Sequence, residues 1–60
     1  MMLTKGSVIV NKDRKLIFKV IEVDATAHEY VLKLLYPEPP FLSIIRKDVY
    51  QTHCECEVVL

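Results

Sequence analysis

The stretch Lys15-Leu16-Ile17-Phe18-Lys19-Val20-Ile21-Glu22-Val23-Asp24 decides the fold class. Ile17, Phe18, Val20, Ile21 and Val23 are β-branched or aromatic, the side chains that suit a pleated, half-buried surface, and they predict a strand. Strict alternation breaks at Ile17-Phe18 and at Val20-Ile21. Those double-apolar steps predict a bulge, or a strand that is apolar on both faces.

Strand signals extend to both sides. Upstream, Lys5-Gly6-Ser7 opens the short run Val8-Ile9-Val10, which ends in Asn11-Lys12-Asp13-Arg14, a polar cluster suited to a hairpin turn. Downstream, residues 24–29 make a break. Tyr30-Val31-Leu32-Lys33-Leu34-Leu35-Tyr36 then predicts a third strand with Tyr30, Leu32, Leu34 and Tyr36 on one face, a short helix being the competing reading. Pro37-Glu38-Pro39-Pro40 ends that element, because proline has no backbone donor. Phe41-Leu42-Ser43-Ile44-Ile45 predicts a fourth strand, residues 46–52 a short helical turn, and residues 54–59 a last strand. There is no internal repeat and no interdomain linker, so residues 1–60 are expected to form a single domain.

This order of elements, with Lys-Leu-Ile-Phe-Lys-Val-Ile-Glu-Val-Asp as second strand, Glu-Tyr-Val-Leu-Lys-Leu-Leu as third and Ile-Arg-Lys-Asp-Val-Tyr leading into a helical turn, resembles small SH3-like barrels of the KOW and Tudor sort, including short phage and plasmid proteins. The resemblance implies a mainly β, five-stranded antiparallel SH3-like barrel or strongly bent sheet. It also implies recognition of a peptide, protein surface or nucleic acid by loops and one exposed face, without a cofactor. A Tudor-type aromatic cage would need Tyr30, Tyr36, Phe41 and Tyr50 to converge. Ordinary core and rim positions are the simpler reading of those residues.

Composition bounds the function. Sixty residues make one thin core, and a chain of this size usually needs a staple or a partner. Cys54 and Cys56 are too close in sequence to close a useful loop, which points to oligomerisation and to a homodimer. No run approaches the roughly 20 apolar residues of a membrane span, and the first residues lack the apolar length of a secretory signal. A reducing, cytoplasmic setting without a membrane partner is expected. Eight basic and eight acidic residues cancel, which removes the net positive charge that nonspecific nucleic-acid binding draws on. The charges are nevertheless unevenly placed. Residues 1–20 carry Lys5, Lys12, Arg14, Lys15 and Lys19 against Asp13, and residues 21–45 carry Glu22, Asp24, Glu29 and Glu38 against Lys33.

Chemistry-bearing residues are few. On a strand, Cys54 and Cys56 would share a face beside His53, with His28 within reach from a loop, as weak candidates for zinc. Reduced, partly buried cysteine is the plainer reading, since structural zinc favours ligand pairs on turns. A redox pair is strained at this spacing. A cysteine nucleophile with a histidine base would lack a water-excluding cavity in so short a chain. Glu55 and Glu57 read as a solvated strand face. Lys12, Arg14, Lys15 and Lys19 could contact phosphate, and no Gly-rich phosphate loop exists because Gly6 is the only glycine. Glu38, Phe41, Tyr36 and Tyr50 are the candidate partner-binding residues; Pro37–Pro40 reads either as a stiff loop that presents Phe41 or Glu38 or as a plain stiff connector. The expectation is a non-enzymatic protein-binding module, of a phage or mobile-element kind that masks or inhibits a host protein. The alternatives are a nucleic-acid-binding barrel that uses the basic hairpin and a zinc-stabilised structural module.

Overall fold

Ile17–Asp24 forms the long strand β2 that its β-branched and aromatic content requires, and the chain is built around it. The structure is a computed structural model and describes residues 2–13, 16–38 and 43–60. In chain order the elements are β1 (Val8–Asn11), β2, β3 (Glu29–Tyr36), β4 (Ile44–Asp48), α1 (Val49–Glu55) and β5 (Cys56–Val58). They form one five-stranded sheet in the order β4-β3-β2-β1-β5, and every neighbouring pair is antiparallel. The protein is therefore mainly β with one short helix. Its sheet is open, with β4 and β5 as its edges.

The expected irregularities of β2 lie where the double-apolar steps placed them. The β2–β3 register shifts between Ile17 and Phe18 and again between Val20 and Glu22. Under strict alternation Val20 and Val23, three residues apart, would face opposite sides of the sheet. The extra residue Ile21 turns both inward, where Val20 is fully buried and Val23 packs against the core. The first shift places the extra residue, Leu35, on β3: Phe18 pairs with Leu34 and Ile17 with Tyr36. It also corrects the expectation that Tyr36 shares a face with Tyr30, Leu32 and Leu34. Tyr36 lies on the outer face with Ile17 and is 60% exposed.

Three further boundaries differ from the sequence reading. The helix occupies Val49–Glu55 instead of residues 46–52. Arg46 and Lys47 pair with Val31 and Tyr30 in the ladder, as long charged side chains can at a sheet edge. Helix initiation waits for Asp48, whose side chain accepts the Gln51 N–H at 3.0 Å and whose carbonyl accepts the Thr52 hydroxyl at 2.7 Å. The strand expected over residues 54–59 begins at Cys56, because the helix runs on through His53, Cys54 and Glu55, and Cys56 closes it by donating its N–H to the Thr52 carbonyl. β4 starts at Ile44, and the expected start at Phe41 lies outside the described residues.

One face of the sheet is closed by α1 and the segment before β1. Leu3, Ile9, Phe18, Val20, Tyr30, Leu32 and Val49 are the buried apolar residues among those described. The segment before β1 turns at Gly6, whose φ of +98° is a conformation that glycine adopts without a Cβ penalty. Ser7 N–H closes this turn on the Thr4 carbonyl at 3.0 Å, and Gly6 N–H anchors it to the Val20 carbonyl at 2.7 Å.

Tyr30 joins the layers. Its ring is fully buried, and its hydroxyl accepts the Leu3 N–H at 2.8 Å and lies 2.7 Å from His53 Nε2 and 3.4 Å from Met2 Sδ. One side chain on β3 thus ties down both the segment before β1 and α1. Replacing Tyr30 by Phe leaves the buried Leu3 N–H without its acceptor. A loss of about 1–3 kcal/mol in urea unfolding is expected, with accelerated amide exchange at Leu3 as the local signature.

Candidate functional site

Opposite the core, the strand registers arrange the outer face in rows. Glu57, Val10, Ile17 and Tyr36 make the first row. Val8, Lys19, Lys33 and Ile44 make the second. Glu22, Val31 and Arg46 follow, and then Asp24, Glu29 and Asp48. Directly opposed residues share a face, so Lys19 and Lys33 point outward together, with apolar neighbours at both ends of their row.

The acidic end of this face is internally compensated. Arg46 donates to Asp24 Oδ2 at 2.6 Å and to Glu29 Oε1 at 3.0 Å. The Ala27 N–H donates to the other Asp24 oxygen at 3.0 Å. That backbone bond, helped by Arg46 and opposed by desolvation, lowers the Asp24 carboxyl below its ordinary value. The Glu29 hydrogen bond leads the upward shift of Arg46. Lys12 pairs with Glu57 at 3.3 Å, and Lys47 pairs with Glu55. By contrast, among the described residues no carboxylate lies within ion-pair reach of Lys19 or Lys33.

Two of the hollows among the described residues are lined by histidine or cysteine side chains. Met2, His28, Val49, Tyr50 and His53 line an open cleft of about 510 Å³. His28 sits at its edge with a φ of 57°, a left-handed conformation in which histidine is enriched. Its carbonyl accepts the Val49 N–H at 3.0 Å and its Nδ1 lies 3.8 Å from Asp48 Oδ1, joining the β2–β3 turn to the start of α1. The second hollow, about 370 Å³, has Leu16, Phe18, Leu32, Ile45 and Cys56 in its lining and the Lys47–Glu55 pair beside them. Burial raises the Cys56 thiol above its ordinary value, so the thiol form prevails at neutral pH and the sulfur is a poor nucleophile there.

The residues singled out from sequence are dispersed. Tyr36 ends β3, Glu38 is exposed just beyond it, and Tyr50 is 74% exposed on α1 beside His28, which immediately precedes β3. Tyr36 and Tyr50 therefore sit near opposite ends of β3 while Tyr30 is buried, and these tyrosines do not converge into a cage. Phe41, Arg14 and Lys15 lie outside the described residues. Lys12 follows β1 near the hairpin turn, whereas Lys19 pairs with Val8 at the start of β1. His53 and Cys54 are helical and Cys56 is on β5, which removes the shared strand face assumed for the two thiols. Glu55 and Glu57 are divided in the same way. Among the described residues no three His, Cys, Asp or Glu side chains come together as metal ligands. Lys33, which sequence reasoning did not select, becomes the neighbour of Lys19 through a register that depends on the bulge at Ile21.

No protein-family model, curated protein or solved structure matches the chain.

Two outcomes follow from these electrostatics. Lys33→Glu converts a like-charge cross-strand pair into an opposite-charge one, and a gain of about 0.2–1 kcal/mol in chemical denaturation is expected. Asp24 has a folded-state pKa below its unfolded value of about 3.9. Its stabilising contribution is present above that value and is lost as pH falls through the lower, folded one. Urea unfolding across an acidic pH series should therefore show a steeper loss for the native chain than for Asp24→Asn.

Proposed function

We propose that the chain is a non-enzymatic protein-binding module on an SH3-like sheet and that it acts as a homodimer. The observation that carries the binding reading is the apolar surface left on the outer face and the edges of the sheet. Tyr36, Ile44, Val58 and Leu60 are 60%, 45%, 56% and 85% exposed. Tyr36 and Ile44 belong to the outer face, and Val58, opposite the buried Ile9, lies with Leu60 at the β5 edge. Exposed apolar side chains gathered in this way mark contact surfaces more often than isolated ones do. The meander of four strands, the intervening helical turn and the return of β5 beside β1 support the SH3-like reading. A non-enzymatic role is supported by the protonated Cys56 thiol and by the engagement of His53 Nε2 with Tyr30. Masking of a larger protein is a consequence such binding would have.

Of the basic residues proposed for nucleic acid, Lys12 is already held by Glu57, which favours the protein reading. Native mass spectrometry of the protein isolated from its own cells tests it. A protein partner retained as salt rises from about 50 to about 200 mM is expected; a nucleic-acid partner would dissociate steeply over that range. Retained nucleotides without protein would reverse the assignment.

The homodimer reading rests on β5. One side of this strand pairs with β1 and the other is a sheet edge, and the exposed Val58, Val59 and Leu60 cluster there. An apolar edge is prone to pair with another strand, and a lysine there opposes pairing. Sedimentation equilibrium should give a dimer mass for the native chain and a monomer mass for Val59→Lys; a native monomer would sink the homodimer.

A further inference from the structure

We propose that the Lys19–Lys33 row receives an acidic segment of a partner protein, with carboxylates on the two ammonium groups and apolar side chains against Val8, Ile17 and Ile44. This inference rests on the protein-binding reading and assigns its surface and the chemistry of its partner.

Lys19 and Lys33 are directly opposed in the β2–β3 ladder. Like charges at this separation destabilise a sheet. Nothing among the described residues relieves them, whereas Lys12, Arg46 and Lys47 each meet a carboxylate. The repulsion coincides with exposed hydrocarbon, since Ile44 ends the row and Tyr36 lies in the row beside it. A segment with carboxylates and apolar side chains relieves both costs together. A carboxylate alone would leave the hydrocarbon wet, and an apolar segment alone would bury two unpaired ammonium groups, which is costly.

The dimensions of the positive zone discriminate against a long polyanion. It is one row deep. On one side lies Glu57, engaged by Lys12, and on the other lie Glu22, Asp24 and Glu29, of which the last two are engaged by Arg46. Rows two residues apart are separated by roughly 7 Å along a strand, so a phosphate chain crossing them would meet these carboxylates. Running along the row, it would press charge against Val8 and Ile44. Nonspecific binding of nucleic acid draws its strength from many phosphate contacts, and among the described residues this face offers two lysines that meet no carboxylate.

The test is an NMR titration of the full chain, labelled with ¹⁵N, using a capped peptide of alternating leucine and glutamate, its leucine–glutamine counterpart and a short oligothymidylate. The acidic peptide should produce saturable shifts centred on Val8, Lys19, Lys33 and Ile44, with the glutamine peptide about tenfold weaker. Lys33→Glu should weaken the acidic peptide about tenfold while raising the thermal midpoint. A purely structural role for Lys33 would not move affinity and stability in opposite directions. No saturable shift, equal affinity for the two peptides, or shifts confined to another surface would overturn the assignment of this face. The protein-binding reading would survive those results if the native complex persisted. Tighter binding of oligothymidylate than of the acidic peptide at the same lysines would overturn both.

Discussion

The β2–β3 ladder, with its two register shifts, is the constraint on which the rest of the structure depends. A slip of one residue in a regular ladder exchanges the two faces of a strand. Here, one extra residue at Ile21 and another at Leu35 exchange the faces locally, once on each strand. The first brings Val20 and Val23 to the same side, and the second separates Leu34 from Tyr36. Because β1 pairs with β2 and β4 pairs with β3, both flanking strands inherit the alignment. The core and the outer face are set by the same two insertions.

Tyr30 turns that sheet into a layered structure. With so small a core, each contact between layers carries a large share of a marginal stability. The Tyr30 hydroxyl engages Leu3, Met2 and His53 from a fully buried ring. The bond from Val49 N–H to the His28 carbonyl and the Asp48 cap fix the start of α1 within the same corner. Satisfied polar groups of this kind make a small core specific as well as stable.

The outer face distributes its charges unequally. At one end Arg46 satisfies two carboxylates, a geometry that favours folding. At the next row but one, two lysines oppose each other beside exposed hydrocarbon. Sequences tend to break local rules of stability where function sets the choice of residue. The lysine row is the clearest such break among the described residues, and the proposed acidic partner gives it a physical purpose.

Much of the fold was legible in the sequence because strands write themselves as β-branched and aromatic runs punctuated by turn residues. Val8–Val10 and the apolar run of β2 could be read directly, and Tyr30–Tyr36 read as a strand or a short helix. The double-apolar step Val20-Ile21 marked the inserted residue on β2, whereas nothing in the sequence marked Leu35 as the inserted residue on β3. The start of α1 was less legible: Arg46 and Lys47 look alike on an edge strand and on a helix, and only the Asp48 cap separates them. The site was least legible. Lys19 and Lys33 are fourteen residues apart in the chain, and Tyr30 and His53 are twenty-three. Composition and periodicity determined that this chain is a small β domain with a thin core. Tertiary structure alone decided which charges meet, because cross-strand neighbours follow from turn lengths and inserted residues whose effects accumulate along the ladder.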